Sequence, residues 1–225
     1  MSDEIVSPFG SRWIPEDVPP SGQRAALIRL AAALRACTEL MMDTSATESE
    51  LLAAAEAAEA FTARLSEAPR KRPLWGFAEA SNAGNARAMF DSSPIIGLAN
   101  PVASPMRLNV VGEHVEGTAT FGRQYEGPPG HVHGGIIAAA FDEVLGMTQS
   151  LSGAGGMTAR LTINYRTPTP LDTELRFMGR LDRREGRKIF TSGTLMAGER
   201  LCAEAEGLFV SVDFERLRRL SEAQE

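Results

Sequence analysis

Cysteine is scarce in this chain: Cys37 and Cys202 are the only two, they lie far apart, and no Cys-x-x-Cys spacing occurs. That removes a disulfide framework and a cysteine-built metal site, leaving two reduced thiols in the cytosol as the default. Long apolar runs are missing as well, so no segment reaches membrane-spanning length. The opening MSDEIVSPFG has acidic residues where a signal peptide or organelle transit segment needs basic ones, and a cytoplasmic protein is the expectation. Basic charge is in short supply: 23 Lys and Arg stand against 29 Asp and Glu, and a net charge of -6 argues against nucleic acid as a partner. The common catalytic signatures are absent too. There is no Gly-x-Ser-x-Gly elbow, no motif around either cysteine, no P-loop and no Gly-x-Gly-x-x-Gly fingerprint, so a serine or cysteine nucleophile has no support.

What is present reads as a soluble globular chain, 43% apolar and 23% charged over 225 residues, enough for one sizeable domain with an appendage or for two small ones. Between Ser21 and Met42, Leu27, Leu30, Leu34, Cys37 and Met41 recur at steps of three and four, which predicts a helix. A second helix is expected after DTSATESE, with Thr47 and Glu50 spaced as a capping box, and the two helices read as a hairpin. Pro69, Pro73 and the basic triplet Arg70 to Arg72 then mark a linker. Residues 1–80 are therefore read as an N-terminal helical extension and linker, 85–213 as the main domain, and 214–225 as a charged tail.

Past about Asn85 the texture turns to short strands. MRLNVVG and HVEGTATFG flank Gly112 and Glu113, and four further strand-like segments follow a helix: MTARLTINYRT, TELRFMGRLDR, RKIFTSGTLMA and RLCAEAEGLFVSVD. Glu185-Gly186 and Gly198-Glu199 are credible tight hairpin turns. One long helix among about six antiparallel strands is an α+β pattern, a single helix packed on a curved sheet.

The chemistry concentrates in GPPGHVHGGIIAAAFDEVLG, residues Gly127 to Gly146. A helix is expected from Gly134 or Gly135 to near Ser152, with Ile137, Ala140, Phe141, Val144, Leu145 and Thr148 on its apolar face. Asp142 falls elsewhere, among Ala138, Ala139 and Gly146, while Glu143 points toward the edge of the apolar face. The helix is apolar enough to be wrapped, and a buried Asp142 would need a reason, which a neighbouring ligand slot would supply. Gly134 and Gly135 leave the first helical amides open to close approach by a carbonyl oxygen that develops negative charge. His131 and His133 point the same way, but zinc needs at least a third ligand and the one other histidine is His114, so no metal site is expected. His133 fits a capping or orienting role at the helix start, and His131 fits an exposed loop. Between Gly156 and Phe190, eight basic residues against four acidic ones could meet an anionic small molecule or simply be solvated strand faces.

The ordered set GPPGHVHGG, Asp142, MTARLTINYRTPTPL and EGRKIF, from about Met106 to Asp213, resembles the PaaI-like hotdog thioesterases, and within them the group of the human thioesterase superfamily member 4. The resemblance implies a hotdog fold and hydrolysis of a fatty or aryl acyl-CoA by a homodimer or dimer of dimers with its sites at the subunit interface. CoA would then be part of the substrate, with no separate cofactor. It implies Asp142 as general base or nucleophile, His133 and Gly134, with Gly135 beside them, as the groups that polarise the carbonyl, and Thr158 as a positioning residue supplied by the partner subunit. Asn164, Arg166 and Arg187, with Lys188 as a neighbour, match positions associated with CoA. His131 departs from the family, which often has an apolar or aromatic residue there.

Two other functions fit parts of the pattern. A non-catalytic acyl-CoA-binding or regulatory hotdog module could recruit a partner through the N-terminal helices. A hydratase or dehydratase could pair His133 with Glu143 or Asp142, although no Asp-x-Asn-Pro-x-His segment is present.

Overall fold

Where the long helix can sit is decided by glycines in the sheet beneath it. The computed structural model describes residues 19–70, 86–104 and 106–213. The linker residues Lys71, Arg72 and Pro73, the N-terminal MSDEIVSPFG and the tail 214–225 lie outside the described residues. Six strands, β1 (Arg107–Val111), β2 (His114–Ala119), β3 (Gly156–Tyr165), β4 (Leu175–Glu185), β5 (Lys188–Ala197) and β6 (Arg200–Ser211), form one antiparallel sheet in the order β1-β2-β4-β5-β6-β3. Gly112, Gly186 and Gly198 take φ of +58°, +58° and +60° in the three hairpin turns, the left-handed backbone that such turns require.

The long helix, here α4 (Gly134–Ser150), lies across this sheet with Ile137, Ala140, Phe141, Val144, Leu145 and Thr148 all buried, the face expected from the sequence. Gly179 on β4 pairs with Gly193 on β5, and Gly207 lies opposite Thr191. A Cβ at Gly179 would overlap the Thr148 hydroxyl, one at Gly193 would stand 3.1 Å from Leu145, and one at Gly207 would stand 3.2 Å from the same leucine. Removing those side chains lets the helix settle close to the strands. Phe141 then meets Phe177 edge-on at 5.4 Å, an arrangement that adds about 1 kcal/mol beyond simple burial. This is the hotdog architecture.

Two helices precede the domain, α1 (Gly22–Met41) and α2 (Glu48–Ser66), the second opened by the expected capping box between Thr47 and Glu50. α1 leans on the domain mainly through polar groups. Arg24 grips Asp91, Arg35 reaches the carbonyl oxygens of Leu98 and Asn100, and Ala31 is the one residue of α1 that is buried. Its predicted apolar stripe is only half used: Leu30 and Leu34 are partly buried, whereas Leu27, Cys37 and Met41 face solvent. α2 buries no residue. A short helix that the sequence pattern does not separate, α3 (Ala86–Ser92), leads into a buried loop against α4.

Candidate active site

The start of α4 is built by the loop before it. Gly127 approaches His133 so closely that a Cβ there would lie 2.8 Å from the His133 Cα. The His133 amide donates to the Tyr125 carbonyl at 2.8 Å and the Val132 amide to that of Thr169 at the same distance, which fixes the chain as it enters the helix. His133 is the N-cap: its Nδ1 accepts from the Gly135 amide at 3.0 Å. In a neutral imidazole an accepting Nδ1 places the ring hydrogen on Nε2. The Ile136 and Ile137 amides go to the His133 carbonyl, so among the first amides of α4 Gly134 alone keeps an open N–H among the described residues. The expected pair of glycine donors is therefore divided, Gly134 free and Gly135 engaged with His133.

Tyr165, which the sequence reading left without a role, donates its hydroxyl to the Gly134 carbonyl at 2.7 Å and lays its ring over that glycine, where a Cβ would be 3.3 Å away. Its parity could have revealed it. Leu161, Ile163 and Tyr165 face the inward residues Gly207, Ala205 and Ala203 across β6, and residues directly opposite share a face.

Asp142 lies two turns along α4. Thr158 donates to its Oδ1 at 2.8 Å, which leaves Oδ2 free. Thr158 would point away from α4 if β3 alternated regularly, since the other inward residues have odd numbers. The register shifts between Thr158 and Arg160, and this bulge at Ala159 restores Thr158 to the inner face, opposite buried Phe209. The bond expected from a partner subunit forms within the one chain.

One expectation is corrected here. Asp142 is exposed in the single chain, and the buried carboxylate of α4 is Glu143, expected at the edge of the apolar face but only 9% accessible. Its Oε1 accepts from the Ser93 hydroxyl. Burial pushes the Glu143 carboxyl up to about 7; the Ser93 bond pulls it down, and the neighbouring Asp142 charge pushes it further up. Ser93 is distant in sequence, and no local pattern marks it.

The residues matched to CoA binding fall into two groups at opposite ends of β6. Asn164 pairs with Glu204, and Arg166 bonds the Glu204 carboxylate at 2.7 Å and the Cys202 carbonyl through its amide, while Arg187 reaches the Ser211 carbonyl at 3.2 Å and Lys188 pairs with Val210. At about 3.3 Å per residue the two groups are roughly 25–30 Å apart. Within one chain they do not meet. Several cations of the basic stretch are already paired: Arg166 with Glu204, Arg176 with Glu174 and Arg183 with Glu185, all at 3.2 Å or less. Arg184 and Arg187 bond backbone carbonyls instead. The three histidines have separate partners, His114 with Glu116, His131 with the Pro129 carbonyl and His133 with Gly135.

Residues 129–204 match the thioesterase superfamily. Curated relatives include the acyl-coenzyme A thioesterase THEM4 of Bos taurus, 39% identical over 97 residues (42% of this chain, 40% of that protein), and its Xenopus laevis counterpart, 38% identical over 93 residues (40% and 42%). The chain thus matches about two fifths of the length of these relatives. A solved thioesterase superfamily protein superposes with a TM-score of 0.76 at 33% identity, over 86% of this chain and 94% of that one, and so includes more than the helix and sheet alone. With that degree of identity over nearly the whole of a solved relative, the chain belongs to the thioesterase superfamily.

Proposed function

We propose that this protein hydrolyses acyl-CoA thioesters, with Asp142 activating the attacking group. The observation that carries the reading is the carboxylate on α4 with one oxygen fixed by Thr158 and the other free, two turns along the same helix from a glycine-led start with an open amide at Gly134. Asp142 Oδ2 takes a proton from water as the water oxygen attacks the thioester carbonyl carbon, or attacks that carbon itself to form an anhydride that water then opens. Either way the carbonyl oxygen becomes an oxyanion, held by the Gly134 N–H and the His133 Nε2–H, and its collapse breaks the C–S bond; the CoA thiolate takes up the proton that Asp142 drew from water, or in the anhydride route a proton from solvent. The relatives named for acyl-CoA hydrolysis support the choice of thioester.

A second copy of the chain completes the site. Among the described residues β3 is an edge strand that pairs only with β6, and seven of its ten residues are exposed. An open edge of that length is a template for another strand. Antiparallel pairing of two β3 edges brings the Gly156 end of one copy beside the Tyr165 end of the other, which unites the two cationic groups, one from each copy, around the CoA phosphates. The same pairing covers Asp142.

The test is a panel of acyl-CoA chain lengths and aryl-CoA esters with free CoA as the readout, run on wild type and on Asp142→Asn. Turnover by wild type that Asp142→Asn lowers by about a thousandfold or more is the expected result. Full rates in Asp142→Asn, or tight binding without turnover in wild type, would overturn the assignment.

A further inference from the structure

Asp142 has a buried neighbour that the reaction above does not use. Asp142 and Glu143 leave α4 about 100° apart, on different flanks. Asp142 turns toward β3, where Thr158 meets it, and Glu143 toward the loop after α3, where Ser93 meets it. Ser93 is wholly buried. Its hydroxyl oxygen accepts the Ile95 and Ile96 amides at 3.1 and 3.2 Å, so both lone pairs are occupied and its hydrogen is committed to Glu143.

The loop that carries Ser93 is held on both sides by α1. Arg24 grips Asp91 with two parallel bonds of 2.7 and 2.8 Å, just before Ser93. Arg35 bonds the Leu98 carbonyl at 3.3 Å and that of Asn100 at 2.8 Å, just after it. Between them the Gly97 amide closes on the Ser93 carbonyl at 2.9 Å. Apolar contacts with the sheet set how close α4 lies but are not directional. A hydrogen bond on its flank is directional.

We propose that the Ser93–Glu143 hydrogen bond is a positioning device for the hydrolytic site: it anchors α4 at the residue next to Asp142, so that α1 and the Ser93 loop hold that carboxylate against Thr158. Glu143 and Ser93 are then positioning residues that touch neither substrate nor reacting atoms. The N-terminal layer becomes part of the site through the Ser93 loop. A misplacement on the order of 1 Å at a reacting group costs ~10²-fold in rate, so a modest roll of α4 is enough to matter.

The kinetic consequence rests on the hydrolase reading above, and the test separates the two. Full-length Ser93→Ala and Glu143→Gln are compared with wild type for kcat and KM on the acyl-CoA panel. The Asp142 side-chain carboxyl ¹³C resonance is followed by NMR and assigned by its loss in Asp142→Asn. Ser93→Ala is expected to lower kcat by about tenfold or more with KM within about twofold, and to move the Asp142 resonance. Glu143→Gln, which keeps an acceptor oxygen for Ser93, retains at least about a third of kcat. A Ser93→Ala protein with lower thermal stability but wild-type kcat and an unmoved Asp142 resonance would show a merely structural bond and overturn the proposal. Should wild type hydrolyse no acyl-CoA, the hydrolase reading fails and the resonance alone decides the positioning claim, in the same two directions. If Ser93→Ala does not fold, Arg24→Gln loosens the same loop from outside and is judged by the same readouts.

Discussion

Thr158 meets Asp142 at 2.8 Å because β3 carries one more residue than β6 can pair. The bulge at Ala159 lets an even-numbered threonine share the inner face with Leu161, Ile163 and Tyr165. A single residue of strand register thus decides whether the carboxylate on α4 has a partner.

The first prediction follows from that register. Thr158→Val keeps the shape and loses the donor, and a hydrogen bond to a charged group contributes about 1.5–3 kcal/mol, so kcat on acyl-CoA should fall by roughly ten- to a hundredfold. Thr158→Ser should restore most of it. Deleting Ala159 removes the bulge yet leaves Thr158 next to Arg160 and opposite Phe209, on the inner face, so the deletion should cost less than the valine while the far-ultraviolet circular dichroism stays that of the folded protein. A folded deletion variant as slow as Thr158→Val would show that parity against Phe209 is not what places the hydroxyl.

A second prediction separates the cations. Among the described residues Arg187 bonds only a backbone carbonyl, whereas Arg166 is paired with Glu204, so the two are unequally available to phosphate. Arg187→Ala should raise KM for acyl-CoA by about five- to tenfold with little change in kcat, and Arg166→Ala should raise it less, because the Arg166 guanidinium is already engaged by Glu204. Measuring KM at low and high salt checks this; equal effects from both variants would place Arg166 on the phosphates and Glu204 off it.

Much of this architecture is legible in the sequence. The period of α4, the six strand segments and the glycine turns are local patterns, and local patterns are what a single chain reveals. The apolar face from Ile137 to Thr148 follows from 100° per residue alone. What escaped depends on long-range register or on a distant partner. The parity change at Ala159 has no composition signature. Ser93 gains its meaning from a residue fifty positions away, and so Glu143 looked like an edge residue while Asp142 looked buried. The stripe on α1 misled in the opposite sense, because Arg24 and Arg35, which it does not include, make polar contacts with the domain.

The glycines under α4 give a stability prediction. A Cβ at Gly179 overlaps the Thr148 hydroxyl and stands 3.0 Å from Val144. Gly179→Ala should therefore cost about 1–3 kcal/mol through overpacking, and lower Tm by roughly 2–10 °C for a domain of this size. Adding Thr148→Ala removes the overlapping atom and should recover part of the loss, a favourable coupling between neighbours. Thermal melts of the two single variants and the double variant read this directly; strictly additive losses would mean that the helix shifts freely over the sheet.

The last prediction concerns pH. An ordinary glutamate titrates at 4.5, and burial raises Glu143 to about 7. Between those values the folded protein holds a proton that the unfolded chain has released, so the sign is the reverse of the usual salt-bridged carboxylate. Folding is favoured at low pH, stability falls as pH rises from about 4.5 to about 7, and above that range the full cost of a buried charge is present. At about 1.4 kcal/mol per pKa unit, that cost is roughly 3 kcal/mol. Glu143→Gln carries no such charge. The stability of the variant relative to wild type should therefore increase by about 2–3 kcal/mol between pH 5 and pH 8. Urea melts of both proteins across that range measure it. Parallel curves would mean that the Glu143 carboxyl is as well solvated folded as unfolded, and the Ser93 loop would then have to admit water where it now closes on α4.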